Sequence, residues 1–156
     1  MWEPVKMTEI DFEIALTQFA QTHGIQIAAC ARNENLYANG VFTPSYWGSK
    51  NTTKAPCITY RTGHMDSVCV LAHEIGHGLD AQERPWAFHA AYHYGTPMSR
   101  LDLEMRAWDK ALCLLDAFGW ADWETFDQSR GAGLKVHYGF GWRELPLELR
   151  PGFQPT

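Results

Sequence analysis

Two histidines and a glutamate are spaced for metal chemistry in the segment His73-Glu74-Ile75-Gly76-His77, called here the HExxH motif. On a helix, side chains four residues apart project from the same face, so both imidazoles can reach one ion. Imidazole nitrogens are typical zinc ligands, and two of them are half of a tetrahedral zinc site. The spacing therefore predicts one zinc ion per chain, held by His73 and His77.

Glu74 directly follows the first of these histidines, so its carboxylate is expected close to the metal. Zinc lowers the pKa of a water molecule that it binds, and a neighbouring carboxylate can take the proton as that water attacks a carbonyl group. The same carboxylate can then deliver the proton to the leaving amine. Glu74 is therefore the predicted general base of a peptide hydrolysis. The competing interpretation is a helix with two exposed histidines and a surface glutamate.

A third ligand is needed, because two histidines alone hold zinc weakly. Glu104 lies within the apolar stripe of a later predicted helix, where a carboxylate is costly unless it is paired or bound to a metal. Glu83, six residues after His77, is the alternative. That shorter spacing needs a sharp turn, and Asp80 at the turn position tolerates a left-handed backbone less well than glycine. Glu104 is therefore the predicted third ligand.

The segment between the predicted ligands also contains possible hydrogen-bond donors: His89, Tyr92, His93 and Tyr94. A tetrahedral oxyanion usually needs a donor besides the metal, and one of these side chains could fill that role or contact the substrate. The alternative is that they simply pack the segment. Asp80 or Asp109 could orient a ligand imidazole, and each could equally be a solvated charge.

Hydrophobic periodicity and capping residues predict the helices that must position these residues. Four helices are expected, over residues 8–23, 66–79, 99–118 and 121–128. The second carries the HExxH motif, and the third carries Glu104 and has Ser99 as its predicted N-cap. Gly76 lowers helix propensity, which indicates that another element approaches the second helix closely at this position.

The remaining segments predict a small sheet and a loop. Strands are expected at residues 25–31 and 56–60, and Asn39-Gly40 is a typical hairpin turn between Leu36-Tyr37 and Val41-Phe42. Residues 80–97 are expected to form a long loop, with Pro85 as a helix breaker. These elements predict an α+β domain with a small antiparallel sheet.

The composition favours one globular domain over residues 1–156, with residues 130–156 as a candidate extended tail. A segment of that tail, residues 136–153, is a hypothetical cover for the cleft. The net charge of −5 argues against an extended nucleic-acid-binding face. No apolar run approaches the ~20 residues of a membrane span, and the N-terminus has no apolar leader. A cytoplasmic protein without a membrane or nucleic-acid partner is therefore expected.

Residues from about Pro56 to Leu115 resemble the gluzincins, in which a glutamate on a later helix completes an HExxH site. More narrowly, the chain resembles the small ImmA/IrrE-type metallopeptidases. The resemblance lies in Cys57-Ile58-Thr59-Tyr60, in Leu71-Ala72 followed by the HExxH motif, and in Glu104-Met105-Arg106-Ala107. Glu104 follows His77 by 27 residues, similar to the usual gap in that family. The family often has asparagine after the alanine, where this chain has Trp108.

The resemblance implies a zincin-like fold, with zinc ligation by His73, His77 and Glu104 and with Glu74 as general base. It also implies that the strand Cys57-Ile58-Thr59-Tyr60 is an edge strand to which an extended peptide substrate pairs. The expected function is that of a zinc endopeptidase, in the family's manner a regulatory protease that cleaves a specific intracellular protein. The alternatives are a catalytically idle domain that binds a protein partner, with a structural metal, and a hydrolase that acts on other bonds.

Overall fold

The computed structural model describes residues 6–30, 39–44 and 55–137, which form a mixed α+β fold. The helices in these ranges are α1 (Glu9–Thr22), α2 (Ser67–Glu83), α3 (Pro85–Tyr94), α4 (Pro97–Ala117) and α5 (Trp123–His137). The strands are β1 (Gln26–Cys30), β2 (Gly40–Thr43) and β3 (Cys57–Arg61). The predicted α+β class is confirmed, with α2 carrying the HExxH motif and α4 carrying Glu104.

The three strands form a mixed sheet in the order β1-β3-β2. β1 runs parallel to β3, and β2 runs antiparallel to it. The prediction of an antiparallel sheet is therefore wrong, because β1 joins the sheet beside β3 in the same direction. The prediction that residues 57–60 form an edge strand is wrong too. Ile58 and Tyr60 of β3 are buried, and this strand is paired on both sides.

The first helix begins as its sequence predicts. The backbone N–H of Asp11 donates to the Thr8 side chain, and the N–H of Thr8 donates to the Asp11 carboxylate at 2.8 Å. This reciprocal capping satisfies two backbone donors at the start of α1. The helix buries Phe12, Leu16 and Ala20 against the core.

The segment predicted as a long loop, residues 80–97, is mostly helical. α2 continues to Glu83, and Pro85 occupies the first turn of α3, where a proline is tolerated because that N–H needs no helical partner. α4 begins at Pro97 and is capped by Thr96, whose hydroxyl accepts from the N–H of Ser99. The N-cap of α4 is therefore Thr96, one turn before the predicted Ser99.

Helices α2 and α4 pack with their backbones almost in contact. A Cβ atom on Gly76 would lie 2.3 Å from the carbonyl oxygen of Ala107. The predicted close approach at Gly76 is therefore confirmed, and its partner is α4. Ala107 is one turn beyond Glu104 along α4, so this contact sets the distance between the HExxH motif and the predicted third ligand.

The C-terminal helix is longer than predicted, because α5 extends to His137 instead of ending at residue 128. The first part of the predicted tail, residues 130–137, therefore belongs to α5. Residues 138–156, most of the segment suggested as a cover, lie outside the described residues, as does the Leu36-Tyr37 arm of the predicted hairpin. None of the described helices is long and apolar enough to cross a lipid bilayer.

Candidate metal centre

The three predicted metal ligands meet in one buried cluster. Nε2 of His73 lies 2.7 Å from one carboxylate oxygen of Glu104, and Nε2 of His77 lies 3.1 Å from the other. The potential ligand atoms of the three residues all lie within 4.8 Å of one another. Each residue is at least nine-tenths buried, so its polar atoms have little access to water that could replace a partner. The geometry brings together a donor set suited to a divalent cation.

The charges in this cluster favour a cation. Burial disfavours an ionised carboxylate, but His77 and His73 beside it hold the pKa of Glu104 well below its usual range. Burial by itself would lower the pKa of His73, but Glu74 and Glu104 outweigh it and raise that pKa to about 9. When both imidazoles are neutral, the carboxylates of Glu74 and Glu104 carry two negative charges, which one divalent ion would balance. Metal binding at this site would therefore displace the proton from the ligand nitrogen of His73.

Glu74 also fixes which nitrogen of His73 faces the other ligands. Nδ1 of His73 lies 3.2 Å from Oε1 of Glu74. An ionised carboxylate only accepts hydrogen bonds, so Nδ1 donates, and Nε2 is directed at Glu104. The Nδ1 atom of His77 is buried without a hydrogen-bond partner among the described residues. A hydrogen bond at Nδ1 therefore orients the imidazole of His73, whereas that of His77 has no such bond among the described residues.

Neither aspartate suggested as an orienting partner plays that part. Asp80 is fully buried and accepts two hydrogen bonds from Arg84, at 2.8 and 2.9 Å. Asp109 is exposed on α4, as expected of a solvated charge. The imidazole of His77 instead contacts Glu104 and two aromatic rings.

Three aromatic side chains enclose the imidazoles. Trp108 stacks on His73 with ring centres 4.3 Å apart and planes 18° apart. Phe42 of β2 lies parallel to His77 at 6.3 Å, and Phe88 of α3 meets the same ring edge-on at 6.2 Å. Sequence reasoning did not identify these contacts. Trp108 follows Glu104 by four residues on the same helical face, which was a usable signal, whereas Phe42 and Phe88 come together only in the tertiary fold.

Of the three residues Tyr92, His93 and Tyr94, Tyr92 is linked to the cluster through Phe88, although it is 39% exposed. Its ring stacks on Phe88 at 5.8 Å. Burial raises the pKa of Tyr92, and the negative charge of Glu74 raises it further. Tyr94 is 84% exposed, and His93 is exposed with its ring 4.3 Å from that of His89. The last two predicted contacts therefore face solvent.

The alternative third ligand, Glu83, is separated from the imidazoles by its own ion pair. Its exposed carboxylate binds the ammonium group of Lys110 on α4. Among the described residues, only His73, His77 and Glu104 form a group that could hold a metal ion. The choice of Glu104 over Glu83 therefore agrees with the geometry.

Strand β2 crosses α2 beside the candidate general base. A Cβ atom on Gly40 would lie 2.5 Å from a methyl carbon of Val70 and 3.0 Å from Cγ of Glu74. The backbone of β2 therefore rests on the side chains of Val70 and Glu74, which would have to shift to admit a larger residue than glycine. β2 is an outer strand of the described sheet, whereas β3 lies at its centre. Any strand pairing beside Glu74 would therefore involve β2.

No protein-family model matches this chain, and no curated protein or solved structure matches it significantly. The resemblance to the ImmA/IrrE-type metallopeptidases therefore stays a prediction from the residues quoted above. His73, His77 and Glu104 form a buried group that could bind a metal ion.

Proposed function

We propose that this protein is a zinc-dependent endopeptidase with its active site at the His73, His77 and Glu104 cluster. The observation that carries the proposal is the number and kind of ligands. Two imidazoles and one carboxylate are the ligand set of many catalytic zinc sites, in which a fourth position stays available. Structural zinc sites are usually closed by four protein ligands, and no fourth His, Cys, Asp or Glu ligand joins this group among the described residues.

The residues around the cluster supply the other parts of a hydrolytic site. When bound, zinc supplies a Lewis acid that activates water and polarises a carbonyl group. Glu74 is buried beside His73 and is the group that would take a proton from the attacking water and pass it to the leaving amine. Tyr92, whose ring stacks on Phe88 beside His77, is the hydrogen-bond donor that we propose for a developing oxyanion.

A peptide substrate would reach this site in an extended conformation. β2 is an outer strand of the described sheet, and its Gly40 lies directly over Glu74. An extended chain that pairs with β2 would pass beside the candidate general base, and main-chain hydrogen bonds would hold it whatever its side chains. This binding mode suits cleavage within a chain rather than at its end, and therefore favours an endopeptidase.

The test is zinc content and peptide hydrolysis measured together. Elemental analysis should find one zinc ion per chain in the wild type and in Glu74→Gln, and a loss of zinc in Glu104→Ala. Glu83→Ala is the matched control: it removes a carboxylate six residues after His77 and should keep its zinc. Hydrolysis of an unfolded protein substrate should fall by about 10²–10⁴-fold in Glu74→Gln, because a general base contributes that much to the rate.

Three outcomes would contradict the proposal. Full zinc content in Glu104→Ala would show that Glu104 is not the third ligand. Undiminished hydrolysis by Glu74→Gln would show that Glu74 is not the general base. A zinc-loaded wild type that cleaves no protein or peptide would favour the catalytically idle binding domain instead.

A further inference from the structure

A second feature with binding chemistry lies between α1 and the end of β3. It is a groove of about 510 Å³ and shares no residue with the metal centre. The groove is lined by Ile10, Glu13, Ile14, Thr17, Gln18, Tyr60 and Thr62. The five residues from α1 recur at helical spacing, so one face of that helix forms a wall of the groove.

Glu13 places a carboxylate in this groove although the residue is only 9% exposed. The hydroxyl groups of Tyr60 and Thr62 both donate to Oε1, each at 2.8 Å. Oε2 receives no hydrogen bond from the described residues, and no lysine, arginine or histidine among them forms an ion pair with Glu13. Burial and the Glu13 carboxylate together raise the pKa of Tyr60, so its phenol stays protonated and continues to donate.

A buried carboxylate is costly without a cation to balance it. Two hydroxyl groups satisfy one oxygen of Glu13, but among the described residues no cation balances its negative charge. The groove offers a matching environment for the rest of a ligand, since Ile10 is 67% exposed and Ile14 is 51% exposed at its wall. An aliphatic chain that ends in a positive charge is complementary to both features.

We propose that this groove binds an aliphatic ammonium group, such as the end of a lysine side chain, through an ion pair with Glu13. The alkyl chain lies against Ile10 and Ile14, and the ammonium group donates to Oε2. Tyr60 and Thr62 hold the carboxylate in place from the opposite oxygen. This site is separate from the proposed peptidase function and does not depend on zinc.

The test uses two charged probes and one neutral probe on the full chain. Butylamine, Nα-acetyl-lysine methylamide and 1-butanol are titrated while the amide resonances of Thr17, Gln18 and Thr62 are followed by NMR. Both amines should shift these resonances, and 1-butanol should not. Equal affinity for the two amines assigns the site to free amines, and tighter binding of the lysine derivative assigns it to lysine in a peptide. The absence of a shift with either amine would overturn the proposal.

Two variants test whether Glu13 is the carboxylate that binds the amine. Glu13→Gln keeps the shape of the side chain and an acceptor for Tyr60 and Thr62, and should weaken amine binding about ten- to a hundredfold, the range expected for a hydrogen bond to a charged group. Glu9→Gln removes an exposed charge from the first turn of the same helix and should bind as the wild type does. Equal binding by wild type and Glu13→Gln would count against the site.

A second pair of variants keeps Glu13 and supplies the cation from the chain itself. Thr17 lies four residues after Glu13, so the ammonium group of Thr17→Lys can reach the carboxylate. This variant should have a higher Tm than Thr17→Met, which has a similar length without charge, and should no longer bind the amines. Gln18→Lys controls for the added charge alone. A Tm of Thr17→Lys no higher than that of Thr17→Met would contradict an uncompensated Glu13.

Discussion

The contact between Gly76 and Ala107 links the stability of the fold to the geometry of the candidate metal centre. A methyl group on Gly76 would lie 2.3 Å from the carbonyl oxygen of Ala107 and 3.0 Å from the carbonyl carbon and Cα of the same residue. All three atoms belong to the backbone of α4, so no change of rotamer can relieve the overlap. The helices would have to move apart by about 1 Å to restore an ordinary contact.

Gly76→Ala should therefore destabilise the protein although alanine is the better helix former. The gain in helix propensity is about 1 kcal/mol, and overpacking of a tight core contact typically costs 1–3 kcal/mol or more. Because the overlap is with backbone, we expect the upper end of that range and a net loss of roughly 1–2 kcal/mol. Glu104 is one turn from Ala107 on α4, so the same shift should move the carboxylate away from His73 and His77 and weaken zinc binding.

Urea unfolding at equilibrium, with a chelator present, measures the first effect, and competition with a zinc indicator measures the second. Gly131→Ala is the matched control, because a methyl group there would meet no atom within 4 Å. That variant gains propensity without overlap and should be stabilised by about 0.5–1 kcal/mol with unchanged zinc affinity. If Gly76→Ala were as stable as Gly131→Ala and bound zinc as tightly as the wild type, the role given to this helix contact would be refuted.

Two further predictions concern side chains near the core. Trp108→Ala removes the ring stacked on His73 and should weaken zinc binding about 10–100-fold. Trp108→Phe should retain most of the affinity. Equal zinc affinities for the two variants would exclude a role for stacking. Cys69 is fully buried, and burial, followed by the charges of Asp66, Asp122 and Glu9, raises the pKa of its thiol to about 12. In the folded protein at pH 8, iodoacetamide should modify the exposed Cys113 but not Cys69, as measured by mass spectrometry. Rapid labelling of Cys69 would contradict this prediction.

The candidate metal-binding group could be predicted from the sequence because much of its geometry is local. Helical spacing places His73 and His77 on one face, and the apolar stripe around Glu104 indicates that its carboxylate is buried. To combine these two patterns into one site, it had to be assumed that α2 and α4 pack together. Gly76 indicated a close approach to α2 but not which element makes it. The prediction of α1 succeeded for the same reason, since Thr8 and Asp11 form a cap within one turn.

The arrangement of the sheet and the helix α3 could not be predicted in the same way. The alternation of Ile58 and Tyr60 indicates a buried face, but it does not say which strands lie on either side of β3. Pro85 marks a helix boundary, and the sequence alone did not distinguish a loop from a second helix that begins there. The stacking of Phe42 on His77 depends on the position of β2 over α2, which is a property of the tertiary fold.

The placement of the ligands on two helices gives the proposed zinc ion a mechanical role in addition to its chemical one. His77 and Glu104 are 27 residues apart, and the chain between them contains the whole of α3. An ion bound to both would close this segment into a loop, as a disulfide does, and restrict the unfolded chain. By the chain-entropy relation for cross-links, a loop of this length corresponds to roughly 3.5 kcal/mol. Zinc would thus act as a removable cross-link, and the chain that loses it would lose part of its resistance to unfolding together with its chemistry.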